Sequence, residues 1–83
     1  MKTIRIRYFA SVREALGSGE TIRSEAATLA GLRDELIARG GAHATALARG
    51  KAVRMALDQV MTAETAMLAD GSEVAFFPPV TGG

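Results

Sequence analysis

An α+β fold is what this 83-residue sequence predicts, with one main amphipathic helix packed on one face of a mixed β-sheet. Three observations carry that expectation. Residues 3–9 alternate strictly between apolar and polar, the period of a half-buried strand. Leu29, Leu32, Leu36 and Ile37 recur at i, i+3, i+7 and i+8, the period of a helix with one buried face. Alternation then returns at residues 52–57 and 73–77, so strands flank the helix on both sides in the chain.

The first strand places Ile4, Ile6 and Tyr8 on one face and Thr3, Arg5, Arg7 and Phe9 on the other. Ser11-Val12-Arg13-Glu14 has the S-x-x-E spacing of a helix capping box, and Gly17 follows within two turns, which predicts a brief helix. Gly17-Ser18-Gly19 is a turn, and Glu20–Ser24 is a second, weaker strand. Thr28 is positioned to cap the main helix, and Gly40-Gly41 stops it. The alanine-rich stretch from Ala42 to Gly50 fits either a short helix or an ordered loop around Leu47. Val53, Met55 and Leu57 define a third strand that breaks at Asp58-Gln59 before Val60-Met61, the pattern of a hairpin. Asp70-Gly71 is a turn into the last strand, Glu73–Phe77, which Pro78-Pro79 end because proline donates no ladder hydrogen bond.

Composition narrows the function. A chain of this length makes one domain, 1–83, with a small core and a flexible tail over 78–83. Hydrophobic residues at 48% and charged residues at 23% fit an ordinary globular domain. Ten basic and nine acidic side chains are scattered without a run of one sign, which argues against a nucleic-acid partner. The N-terminal residues interrupt every apolar position with a polar one, so neither a secretion signal nor a membrane span is expected, and a cytoplasmic location follows. The absence of cysteine removes disulfides, thiolate metal sites and cysteine nucleophiles, and one histidine, His43, supports neither a multi-histidine metal site nor a triad. His43 itself is expected at the surface. On this reading the chain is not an enzyme by itself and binds neither metal nor cofactor.

The chemical interest lies at the C-terminus. The six residues from Pro78 span about 20 Å when extended. Two prolines stiffen the start, and Gly82-Gly83 remove all side chains from the end, so Val80, Thr81 and the glycines can thread a narrow channel. The reactive handle is then the α-carboxylate of Gly83, which is ionised and unreactive at neutral pH because its ordinary pKa is roughly 3.5, and which therefore needs activation. Two terminal glycines alone also fit a frayed end.

The eleven residues Glu73 to Gly83, EVAFFPPVTGG, resemble the signature ending of the molybdopterin synthase small-subunit (MoaD) family, among the MoaD/ThiS sulfur carriers. The resemblance extends to Tyr8-Phe9-Ala10, Val12-Arg13-Glu14, Gly50-Lys51 and Leu68-Ala69-Asp70-Gly71. It implies a ubiquitin-like β-grasp fold. It also implies a route in which an E1-like adenylating partner uses ATP and magnesium to adenylate Gly83, and a sulfurtransferase system converts the adenylate to a thiocarboxylate. The tail, Pro78, Pro79, Val80, Thr81, Gly82 and Gly83, would then enter the large synthase subunit and give its sulfur to cyclic pyranopterin monophosphate. A dithiolene holds two sulfurs, so two charged carriers serve each product.

The resemblance further implies that Phe9, Met61 and Phe77 form an apolar patch that docks these partners. Lys51 matches the family's Gly-Lys step, while Asp58 stands where many members carry asparagine, and Thr62–Met67 match weakly. Arg5, Arg7 and Arg23 share the outer sheet face, where a solvated strand surface is the plain reading and attraction to an acidic partner the alternative. Competing functions are a sulfur carrier for thiamine or cysteine synthesis, a ubiquitin-like protein modifier, and a plain binding domain.

Overall fold

Alternation becomes β1 over Lys2–Tyr8, an inner strand of the sheet in the computed structural model, which describes residues 1–79. Along the chain follow α1 (Ala10–Leu16), β2 (Gly19–Ser24), α2 (Leu29–Ile37), α3 (Gly41–Ala46), β3 (Arg54–Leu57), β4 (Val60–Met61) and β5 (Glu73–Phe77). The strand order is β2-β1-β5-β3-β4. The central β1–β5 pair is parallel and the other pairs are antiparallel, so the sheet is mixed as expected. A parallel pair needs a long crossover, and the chain between β1 and β5 supplies it while carrying the helices. This is the ubiquitin-like β-grasp arrangement.

The core sits on one face of the sheet. Ile4, Ile6, Tyr8, Met55, Val74 and Phe76 form one buried cluster with Leu29, Leu32 and Leu36 of α2, Leu47 after α3, Val12 of α1 and Leu68. The helical spacing of the α2 leucines and the two-residue spacing of the strands deliver these side chains to a common layer. Each fully buried leucine contributes about 1.5–3 kcal/mol relative to exposure.

Thr28 caps α2 as its position predicts, its Oγ1 accepting from the Gly31 N–H at 3.1 Å. The weakly matched segment before β5 closes the same helix end. The Leu29 and Ala30 N–H groups, which lack partners inside the helix, donate to the carbonyls of Ala66 and Glu64 at 3.1 and 2.9 Å. The ambiguous alanine-rich stretch is settled as helix α3 over Gly41–Ala46, with Leu47 fully buried behind it.

The capping box at Ser11 does not form. Helix α1 starts at Ala10, its N-cap is Phe9, and no side chain caps it. The reason is tertiary: the Phe9 N–H donates to the Phe76 carbonyl at 3.1 Å, which holds Phe9 extended at the end of the β1–β5 ladder. The helix must turn directly after it, so Ser11 falls inside the first turn.

The expected hairpin joins β3 to β4, with Leu57 paired to Val60 across Asp58 and Gln59. Both loop residues have positive φ, 49° and 69°, the backbone of a type I′ turn. Asp58 also ties the hairpin to β5, accepting from the Glu73 N–H at Oδ1 (2.9 Å) while its own N–H donates to the Glu73 carbonyl (2.8 Å). Just before the same end of β5, the Thr3 N–H donates to Asp70 Oδ1 at 2.6 Å, and Gly71, at φ 86°, donates to the Thr3 carbonyl.

Candidate functional site: the outer sheet face and the root of the tail

The register determines what the face away from the helices presents. Arg7 pairs with Ala75, Ala75 with Ala56, and Ala56 with Met61, so one row of side chains crosses β1, β5, β3 and β4. Two alanines at its centre leave a depression that larger side chains would fill. Phe9, Phe77, Gln59 and Glu73 stand around it, enclosing with the row a shallow groove of about 380 Å³.

The three side chains expected to form a docking patch, Phe9, Met61 and Phe77, therefore line one groove. Phe9 is 41% exposed and Met61 63% exposed, while Phe77 is half-buried. Period two had placed Phe77 and Phe9 opposite the core face, and the structure agrees. Alternation over the β3 and β5 segments also carried the signal for Ala56 and Ala75. The same alternation put Arg7 on the face of Phe9 and Glu73 on that of Phe77, whereas nothing local in the sequence marked Gln59 as a groove residue.

Arg7 is poised over this groove. Its guanidinium carbon lies 5.6 Å from the Phe9 ring centroid, within cation–π range. Its Nη1 stands 3.8 Å from Glu73 Oε2, a loose contact for a side chain that is 59% exposed.

β5 runs from this groove straight into the tail. Phe77 is its last residue, and Pro78 and Pro79 follow, both half-buried. The remaining tail residues singled out by the sequence, Val80, Thr81, Gly82 and Gly83, lie outside the described residues. Pro78 borders a second groove of about 510 Å³, walled by α1, α3 and residues 51–53, with Lys51, Ser11 and Thr45 among its lining. The root of the tail thus sits between two concave surfaces, one on each side of the sheet end.

The helix side holds the titratable groups whose pKa values are displaced, and they serve as ties. Tyr8 donates to Glu20 Oε2 at 3.2 Å, and Arg39 Nη1 reaches both Glu20 oxygens at 2.9 and 3.0 Å. Burial first, then the charge and hydrogen bond of Glu20, raise the Tyr8 pKa and keep the phenol protonated. Burial of Glu20 opposes its ionisation, yet the hydrogen bonds and charge of Arg39, with His43 and Tyr8, outweigh it and hold the carboxyl below its ordinary range. His43, expected at the surface, is instead partly buried, its ring edge-on to Tyr8 at 6.4 Å and its Nε2 3.5 Å from Glu20.

Arg33 is buried, 3% exposed, and donates to the carbonyls of Leu47, Ala48 and Lys51 at 2.8, 2.7 and 3.2 Å. It fastens the loop that carries Lys51, and burial lowers its pKa. Sequence alone offered no sign of either tie, because their hydrogen-bond partners are 12 to 23 positions apart. Among the described residues no group of three metal-ligating side chains comes together. No helix among them is long and apolar enough to cross a membrane.

The family model described as ThiS family matches residues 6–83. The chain belongs to the ThiS family. Within it, the chain is 41% identical over 81 residues to the molybdopterin synthase sulfur carrier subunit of Escherichia coli, covering 96% of this chain and 99% of that protein. It is 35% identical, with the same coverage, to the subunit of that name from Haemophilus influenzae. Among solved structures, a Pyrococcus furiosus protein described as a molybdopterin converting factor subunit 1 superposes with a TM-score of 0.78 at 27% identity, covering 96% of this chain and all of that one. These relatives each match 96% of the chain, and the family model spans residues 6–83, so the groove and the tail root are both inside the region it covers.

Proposed function

We propose that this chain is the sulfur-carrier subunit of a molybdopterin synthase, acting in molybdenum cofactor biosynthesis. The observation that carries the reading is the continuity of the apolar groove with the tail: Phe77 lines the groove and Pro78 begins the segment that ends in Gly83. Its support is the near-full-length similarity to two sulfur carrier subunits. A partner seated on Phe9, Met61 and Phe77 would take hold of the strand from which the terminus extends.

In this scheme an E1-like partner joins the Gly83 carboxylate to AMP, using ATP with magnesium and releasing pyrophosphate. A sulfur nucleophile from a sulfurtransferase system then displaces AMP and leaves a terminal thiocarboxylate. The large synthase subunit accepts the tail and directs its sulfur to the pyranopterin precursor, after which the discharged carboxylate returns for another cycle. The carrier supplies docking, reach and an acyl carbon, and the partners supply the catalytic groups. ATP-dependent activation assigns this work to the cytoplasm.

The deciding experiment incubates the chain with its cognate activating enzyme, ATP, magnesium and a sulfur source. Intact-protein mass spectrometry should show one oxygen exchanged for sulfur at the C-terminus, and addition of the large subunit and pyranopterin precursor should yield molybdopterin. Isopeptide-linked products without the sulfur exchange would support a modifier instead. Exchange without molybdopterin would support a carrier for another pathway.

A further inference from the structure

The cations on the two sides of the sheet are used differently. On the helix side three of the four arginines have acidic partners: Arg39 meets Glu20, Arg49 meets Asp34 and Glu64, and Arg33 meets Glu64, while Arg13 of α1 has none among the described residues. On the outer face the register gathers Arg5, Arg7, Arg23 and Arg54 against a single acid on those strands, Glu73. Four of the ten basic side chains and one of the nine acidic ones therefore share this face, while the chain as a whole carries only +1. The strands of the outer face thus carry an excess of cations, with Asp58 and Asp70 in the turns at one end.

These arginines are weakly held. Arg5 donates only to the Gly71 carbonyl at 3.4 Å, Arg7 has its 3.8 Å contact with Glu73, and Arg23 and Arg54 have no ion-pair partner among the described residues. One of the four lies in the apolar groove and a second stands beside one of its lining residues. Arg7 lines it, and Arg54 pairs across the strands with Phe77.

We infer that the groove is matched to a protein surface that presents an apolar knob flanked by carboxylates, and that Arg7 and Arg54 read those carboxylates. This rests on the docking role proposed above and names the chemistry of the partner at that site, the large synthase subunit. An apolar centre bordered by arginines is the anatomy of a protein interface, where buried apolar contacts hold the complex and rim charges speed and orient encounter. A phosphate-backbone site would instead favour a cationic track without an apolar saddle at its middle. Arg7 can exchange its loose contact with Glu73 for a partner carboxylate while remaining stacked on Phe9.

The test is titration of the full chain against its cognate large subunit across a salt series. Binding should weaken as salt rises, because exposed pairs are screened once the Debye length falls to a few ångström. The Arg7→Gln/Arg54→Gln variant should bind about three- to tenfold more weakly at low salt and lose most of the salt dependence, as expected for two exposed ion pairs. The Arg7→Lys/Arg54→Lys variant should retain the salt dependence, and Phe77→Arg should weaken binding at every salt concentration. If Phe77→Arg weakens binding while the glutamine variant keeps both the affinity and the salt dependence of the parent, the carboxylate match is wrong and the docking role stands. Unchanged binding by Phe77→Arg overturns the docking role and this inference with it. Retention of a duplex DNA through the same two arginines, as tightly as the large subunit, would overturn the assignment of a protein partner.

Discussion

The two faces of this sheet are made by the same strands, and they differ in what lies opposite. On the inner face Ile4, Val74 and Phe76 are fully buried beneath the helices. On the outer face Arg7, Phe9 and Met61 stand in solvent around two central alanines. The inner face is therefore constrained by volume, because close packing transmits any change in side-chain size to the whole core. The outer face is constrained by what it must bind. A substitution should consequently register in stability on one side and in association on the other.

The largest expected effect tests the inner side. Phe76→Ala should cost about 3–5 kcal/mol of unfolding free energy, measured by denaturant titration, since it removes a buried aromatic and leaves a cavity. A loss no greater than that of a surface substitution would show that the core closes around the gap and would erase the contrast. Next is Arg33→Met, which keeps the aliphatic stem but withdraws the donors that hold Leu47, Ala48 and Lys51. It should cost about 2–3 kcal/mol, because buried carbonyls lose charge-assisted hydrogen bonds.

On the outer side, Phe77→Arg should reduce association with the large subunit at least tenfold, about 1.4 kcal/mol or more, while the melting transition stays cooperative. A variant that binds normally would remove the functional half of the comparison. Acid sharpens it further. Glu20 has a depressed folded-state pKa, so its contribution to stability is complete above the unfolded value of about 4.3 and is lost as pH falls through the lower folded value. Glu20→Gln should flatten the stability profile over that acidic window and leave docking at neutral pH unaltered, which paired denaturation and binding measurements would register.

The smallest effect belongs to the hairpin. Gln59→Gly should stabilise the protein by about 0.5–1 kcal/mol, because glycine accepts the positive φ of 69° without the steric cost that glutamine bears. Gln59 also lines the groove, so a simultaneous loss of association would show that its side chain touches the partner.

Local pattern was enough to read most of the elements. Alternation at residues 3–9, 52–57 and 73–77 and the leucine spacing from Leu29 identify the strands and the main helix, since side-chain periodicity follows directly from backbone geometry. The same alternation placed Phe9 and Phe77 away from the core, and the terminal EVAFFPPVTGG pointed to the family. Where the helix start depended on a distant strand, local pattern failed: Ser11 has the spacing of a cap, but the Phe9–Phe76 hydrogen bond moves the start two residues earlier.

What the sequence by itself determined was the inventory: an α+β chain with one amphipathic helix, two outward aromatics, and a proline-stiffened ending in two glycines. Strand order and register were decided only in three dimensions. They bring Met61 beside Phe9 and Phe77, set two alanines between them, and turn scattered arginines into one positive face. The physical reason is range. Periodicity reports on neighbours a few residues apart, whereas these contacts close loops of tens of residues and form only when the whole core selects one pairing of strands.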